Sequence, residues 1–323
     1  MKQPVGIGPS GNNMEYRQLG KTSLRVSILG FGASPLGDVF RQTDPAESRE
    51  AVRYAIDQGI NFFDVSPYYG LTVAEARLGE ALEGHRHKVI LATKCGRYGV
   101  SDFDFSARRV ASSINESLTR LRTDYVDLFQ AHDVEFGDSR EILDETIPAM
   151  RRLQEQGKAR YIGITGYSLA NLSTLAEQVA IDSVLTYCRY NLMITDMDSV
   201  LVPAAKKRGF GIINASALHM GILTEQGAPD WHPAPPEVRE AGQRIVELCR
   251  QHGADASEIA LRFAFDHPFT ASTLVGMSTR DHVETNLRAL SIRNNPKLMA
   301  KIRKLAAPVF NYIWVSGRPE NYG

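Results

Sequence analysis

Eight times along this chain, a short run of branched and aromatic residues is followed by a stretch in which apolar residues recur every three or four positions. The runs lie near 27–32, 61–65, 89–94, 125–132, 159–165, 183–190, 210–216 and 271–276. The periodic stretches lie near 45–58, 73–83, 106–122, 139–156, 169–178, 197–208, 257–266 and 280–290. Short apolar runs of this kind read as buried strands, and the longer periodic segments read as helices. Val110, Ile114, Leu118 and Leu121 show the helical spacing, as do Val283, Leu287 and Leu290. Gly59, Gly84, Gly157 and Gly209 stand where a left-handed C-cap would end a helix. A strand–helix repeat without a break in composition predicts a parallel sheet covered by helices. Eight units in 323 residues predict one closed (β/α)8 barrel, with a doubly wound sheet as the competing α/β arrangement.

The barrel domain is expected over 14–323, preceded by a flexible extension at 1–13 that is rich in Gly, Pro and Asn. Glu15–Leu19 and Leu24–Val26 flank a Gly-containing turn and predict an N-terminal hairpin. The Pro-rich stretch 224–236 predicts a long loop leading into an extra helix near 237–251, and a further helix is expected from Pro296 to about 307. The aromatic segment Phe310-Asn311-Tyr312-Ile313-Trp314 follows, placed either to cover a ligand or to staple the tail to the barrel.

Lys plus Arg and Asp plus Glu both number 37, so the chain carries no net charge to attract nucleic acid or an anionic membrane. No apolar run approaches the length of a membrane span, and the first residues lack the apolar core of a secretory signal. Three cysteines, Cys95, Cys188 and Cys249, are odd in number and have no Cys-x-x-Cys spacing. They argue for a reducing cytoplasm and against a disulfide framework or a metal site.

Chemistry concentrates at the ends of three successive strand runs, at Asp64, Lys94 and His132, with Tyr69 just beyond the first. In a parallel sheet these ends converge on one face. A lysine ammonium beside a tyrosine favours the phenolate and is expected to lower its pKa. A carboxylate paired to that lysine holds it in place, and a neutral imidazole can orient a substrate oxygen. The set moves one proton at a carbinol carbon, and the accompanying hydride requires a nicotinamide, because no side chain accepts hydride. Taken singly, Asp64 also suits a helix cap, Tyr69 a turn, Lys94 a structural ion pair or a Schiff base, and His132 a core position or metal ligand. Gly30-Phe31-Gly32-Ala33-Ser34-Pro35 begins like a dinucleotide fingerprint but has Pro35 where the third glycine belongs.

Together, Asp64-Val65-Ser66-Pro67-Tyr68-Tyr69, Ala92-Thr93-Lys94 and Asp127-Leu128-Phe129-Gln130-Ala131-His132 resemble the motifs of the aldo-keto reductase superfamily in order and spacing. The resemblance runs from Met14 to about Leu290. It implies an N-terminal hairpin closing the barrel bottom and an extended nicotinamide cofactor at the carboxyl-end face. It assigns cofactor contacts to Gly32, Ala33, Thr165, Tyr187, Ser216, Leu218, Gly221, Gly276, Ser278, His282 and Asn286. Thr165-Gly166 stands where many members have Ser-Asn, Tyr187 where they have Gln, and Ala215 where they have the aromatic that stacks on nicotinamide.

Segments 32–37, 92–98, 103–106, 132–137, 163–166, 223–227 and 231–233 narrow the likeness to the plant-type L-galactose dehydrogenases within that family. This implies oxidation of the C1 hydroxyl of an aldose (L-galactose, L-fucose or D-arabinose) to the lactone with NAD. In the segment Gly276–His282 after the eighth strand run, Arg280 is the one Lys or Arg and stands beside Asp281, a poor clamp for the 2′-phosphate of NADP, which makes NAD the expected cofactor and NADP the alternative. Asp133, Glu135 and Arg189 are candidates for holding sugar hydroxyls, with ion pairing as the duller role. The rival readings are a general NADPH-dependent carbonyl reductase and a cofactor-sensing binding subunit. A Schiff-base aldolase using Lys94 is the most remote.

Overall fold

The computed structural model describes residues 14–322; the expected extension at 1–13 lies outside the described residues. β1 (Tyr16–Gln18) and β2 (Arg25–Ser27) form an antiparallel hairpin. The barrel strands follow as β3 (Leu29–Gly32), β4 (Phe62–Asp64), β5 (Ile90–Cys95), β6 (Val126–Ala131), β7 (Ala159–Gly166), β8 (Ser183–Tyr187), β9 (Gly211–Ala215) and β10 (Thr270–Gly276). Each pairs in parallel with its neighbours, and β10 pairs back onto β3 to close the ring. The expected (β/α)8 barrel is therefore the observed fold.

Helices α1 (Pro45–Asp57), α2 (Val73–Ala81) and α3 (Ala107–Leu121) surround the first strands. α1 starts on Asp44, whose carboxylate accepts the Ala46 N–H at 2.6 Å, with Pro45 in the first helical position. The helix expected at 139–156 is divided: α4 (Ser139–Glu141), one π-turn (Ile142–Thr146) and α5 (Ile147–Glu155). Pro148, in the first turn of α5, cannot donate to the preceding turn, and the wider π-turn accommodates it. α6 (Leu169–Gln178), α7 (Met197–Arg208), α8 (Pro236–Gln251), α9 (Ala256–Phe265), α10 (Arg280–Ser291) and α11 (Pro296–Ala306) complete the shell.

Two apolar layers follow from strand alternation. Phe31, Phe63, Leu91, Phe129, Ile162 and Val184 face the helices, while Phe62, Ala92, Leu128, Leu185 and Ile213 fill the barrel interior. Leu19, Leu24 and Val26 of the hairpin join the interior cluster and plug the bottom of the barrel. α8 and α11 bury a separate cluster around Ile245, Ile259 and Ile302. β8 ends earlier than the sequence indicates, at Tyr187, because Cys188 turns the chain with φ of 56°. Among the described residues, no helix is long and apolar enough to cross a membrane.

Candidate active site

Parallel pairing sets Asp64 opposite Ala92 and Lys94 opposite Gln130, so Asp64, Lys94 and His132 emerge at the same end of the barrel. Tyr69 reaches them from a tight turn in which its N–H donates to the Ser66 carbonyl at 3.1 Å, with Pro67 in the second position. That turn rests on the one after β3. At Gly70, with φ of 60°, a Cβ would stand 2.0 Å from the Gly37 carbonyl oxygen, so only glycine lets the two backbones meet.

The Lys94 ammonium donates to the Asp64 carboxylate, to the Val65 carbonyl at 2.9 Å and to the Tyr69 hydroxyl oxygen at 3.3 Å. All three of its protons are thereby engaged. Gln130 Nε2 donates to the other Asp64 oxygen at 2.9 Å. The His132 ring stands edge-on to Tyr69, with centroids 5.7 Å apart. Its Nδ1 lies 3.0 Å from the Ser66 hydroxyl, and its Nε2 lies 3.7 Å from Asp133 Oδ2.

Burial opposes the charge on Lys94, but the neighbouring Asp64 and Tyr69 outweigh it and hold the amine above its ordinary pKa. Burial also pushes the Asp64 carboxyl up, against the pull of Lys94 and Gln130. The pair is an ion pair, since either charge alone at this depth would be left uncompensated. Tyr69 departs from the sequence-based expectation. Lys94 does lower its pKa, yet burial, aided by Asp64 and Asp133, is stronger, and the phenol is raised overall. His132 is pushed down to about 3 by burial, so the ring is neutral at ordinary pH.

Around this centre the structure adds residues that the sequence reading did not select. Arg97, just beyond β5, binds Asp133 at 2.5 Å and lies 3.9 Å above the Tyr68 ring. Asp133 is held in a left-handed conformation, φ 53°, with its N–H on Thr165 Oγ1 at 3.1 Å. Glu135 is fully buried, accepts the Tyr167 N–H at 2.9 Å, and places its carboxylate against the Gly166 backbone. Arg189, also a sugar candidate, is paired with Asp196 and lies over the Tyr167 ring at 4.7 Å. The C-terminal tail crosses this side of the barrel. Asn321 donates to the Glu135 and Gly137 carbonyls at 2.8 and 2.9 Å, and Trp314 stacks on Tyr167 at 4.5 Å. Tyr187 stands next to Tyr167, with ring centroids 5.5 Å apart.

The remaining cofactor candidates gather at the same carboxyl-end face. Gly32 and Gly276 are register partners, and Ala33 donates its N–H to the Asp64 carbonyl at 2.9 Å. Ser216, His219, Met220 and Gly221 all have positive φ, forming an irregular turn around Leu218 after β9. The Asn286 side chain is buried in α10, on the element that follows β10. Ser278 donates its N–H to His282 Nδ1 at 3.3 Å, and Arg41 reaches His282 Nε2 at 2.9 Å. Arg280 turns the other way, binding Glu284 at 2.8 Å over the Tyr54 ring. Among the described residues no cluster of three or more His, Cys, Asp or Glu side chains is arranged to hold a metal.

The sequence profile of the Aldo/keto reductase family matches residues 28–307. The chain belongs to this family. As an aldo-keto reductase it is an oxidoreductase that works with a nicotinamide cofactor. It is 44% identical over 318 residues to the L-galactose dehydrogenase of Arabidopsis thaliana, covering 95% of this chain and 99% of the relative. It is 31% identical to the D-arabinose 1-dehydrogenase of Saccharomyces cerevisiae, over 91% of this chain and 95% of that protein. Its fold matches the holo form of an aldo-keto reductase from Bacillus halodurans with a TM-score of 0.77 and 26% identity, covering 96% of this chain and all of that one.

Proposed function

We propose that this aldo-keto reductase is an NAD-dependent aldose 1-dehydrogenase of carbohydrate metabolism, cytoplasmic, acting on L-galactose or a related sugar. The observation that carries the reading is the Lys94–Tyr69 contact of 3.3 Å, set against a neutral His132 and the Asp133 carboxylate. The relatives named for L-galactose and D-arabinose oxidation support the substrate class.

The C1 hydroxyl of a pyranose would lie between Tyr69 and His132. In the oxidative direction Tyr69 first gives its own hydrogen to solvent; Lys94 stabilises the resulting phenolate, which takes the C1 hydroxyl proton and returns to the phenol, and Asp64 keeps Lys94 in place. The oxidised nicotinamide, when bound, accepts the C1 hydrogen as hydride. C1 then becomes the carbonyl carbon of the lactone, with the ring oxygen already attached, so no water is consumed. Asp133, fixed by Arg97, offers a carboxylate to a neighbouring sugar hydroxyl.

The buried Asn286 amide and the irregular turn that carries Ser216 suit a ligand rich in polar groups such as a dinucleotide. Ser216, Leu218 and Gly221 would hold its diphosphate, and Gly276, Ser278, His282 and Asn286 its adenosine half. Gly32, Ala33, Thr165 and Tyr187 border the catalytic end. Arg280 is engaged by Glu284 and, at 3.8 Å, by Glu50, which favours NAD over a cofactor carrying a 2′-phosphate.

Initial rates with NAD and a panel of L-galactose, L-fucose and D-arabinose, set against NADPH with simple aldehydes, test the proposal. Turnover of an aldose with NAD is the expected result. Aldehyde reduction without any aldose turnover would overturn it.

A further inference from the structure

Ser66 is fully buried, and among the described residues its hydroxyl has two partners. One is the Tyr68 N–H at 3.1 Å, which can only donate. The other is His132 Nδ1 at 3.0 Å. A serine hydroxyl carries one hydrogen, and in a buried position that hydrogen needs an acceptor. With the Tyr68 amide donating to the oxygen, the only acceptor in reach among the described residues is the lone pair of His132 Nδ1. We infer that Ser66 fixes the tautomer of His132, placing the ring proton on Nε2 so that His132 donates into the site from that nitrogen.

The second side of the ring agrees. Nε2 faces the Asp133 carboxylate at 3.7 Å, where an N–H is favourable and a lone pair is repelled. The opposite tautomer would strand the Ser66 hydrogen and aim two electron-rich groups at each other. The hydrogen bond made at one ring nitrogen decides what the other can do. Ser66 is held for this task by its turn: Pro67 stiffens it, and the Ser66 carbonyl accepts the Tyr69 N–H at 3.1 Å. The same turn therefore positions the proton-transferring phenol and polarises the imidazole beside it. Ser66 acts through His132 and is a positioning residue. Only its consequence for turnover rests on the dehydrogenase reading.

The test is a long-range proton–nitrogen spectrum of the full chain labelled with nitrogen-15 histidine, recorded at neutral pH, with His132→Gln used to assign the ring. The expected wild-type spectrum shows a protonated Nε2 and a bare Nδ1, a result that needs neither substrate nor turnover. Ser66→Ala should spread the ring over both tautomers and lower kcat about tenfold, roughly one hydrogen bond's worth, with cofactor affinity within about twofold of wild type. Ser66→Thr, which restores the hydroxyl, should restore the wild-type spectrum. A wild-type proton on Nδ1, or a Ser66→Ala ring unchanged from wild type, would overturn the inference. If no aldose is turned over, the spectrum still decides the tautomer, so the two readings fail separately.

Discussion

Lys94 Nζ stands 3.3 Å from the Tyr69 hydroxyl oxygen, with its other protons committed to Asp64 and to the Val65 carbonyl. Tyr69 thus accepts from Lys94, and its own hydrogen is free to point toward the open face. Charge placed on the phenol oxygen meets an ammonium that is already oriented, so stabilising it requires no reorganisation.

That arrangement makes Lys94 a stability element as well. Lys94→Met leaves the Asp64 carboxylate buried without its counter-charge, which should destabilise the fold by about 3–5 kcal/mol. Lys94→Met combined with Asp64→Asn should recover most of that loss, because no charge remains buried. Urea denaturation of the two variants and the wild type checks the order. Equal stability of single and double variants would contradict it.

The neutral histidines give the protein an acid-side liability. His132 and His219 are both pushed by burial to about 3, against an unfolded value of about 6.5. Between those values the unfolded chain binds protons that the native state refuses, so stability is full above pH about 6.5 and falls as pH drops toward 3. His132→Gln should reduce the slope of unfolding free energy against pH in this window by up to about 1.4 kcal/mol per pH unit, one proton's worth. Urea midpoints taken across the window measure it, and an unchanged slope would remove His132 from this role.

Arg97 and Asp133 should govern sugar recognition without doing the proton transfer. Asp133→Asn removes the charge that Arg97 fixes and weakens the acceptor offered to a sugar hydroxyl. It should raise KM for the aldose by about tenfold, the loss of a charge-assisted hydrogen bond. Reduction of a small aldehyde without hydroxyl groups should be nearly unaffected. An equal loss on both substrates would point to a general disturbance of the site.

The barrel was legible because each strand run and each helical period agrees with the same global arrangement. The N-terminal hairpin and the extra helices α8 and α11 were equally visible, marked by a Gly turn and by Pro at the helix starts. Asp64, Lys94 and His132 could be placed together from strand ends alone, since parallel strands bring their carboxyl ends to one face. Gln130 was within reach of the same logic, two residues before His132, but apolar strands hide a single amide. Arg97 and Ser66 lie in turns, where no periodicity tells which way a side chain points. The surroundings of Glu135 were hidden for a related reason: proximity to His132 in sequence does not reveal that the short turn at Val134–Phe136 sets it against Gly166. The direction of the Tyr69 shift depended on depth of burial, a property of the folded barrel and not of its motif.

The central claim is that Tyr69 moves the proton, and one measurement addresses it most directly. Single-turnover formation of reduced cofactor from L-galactose is compared in wild type and Tyr69→Phe, alongside cofactor affinity. The phenylalanine keeps the ring edge against His132 and removes only the hydroxyl. The account predicts a fall of about 10²–10⁴-fold in the rate, with cofactor binding unchanged. A Tyr69→Phe enzyme that oxidises the sugar at the wild-type rate would contradict it.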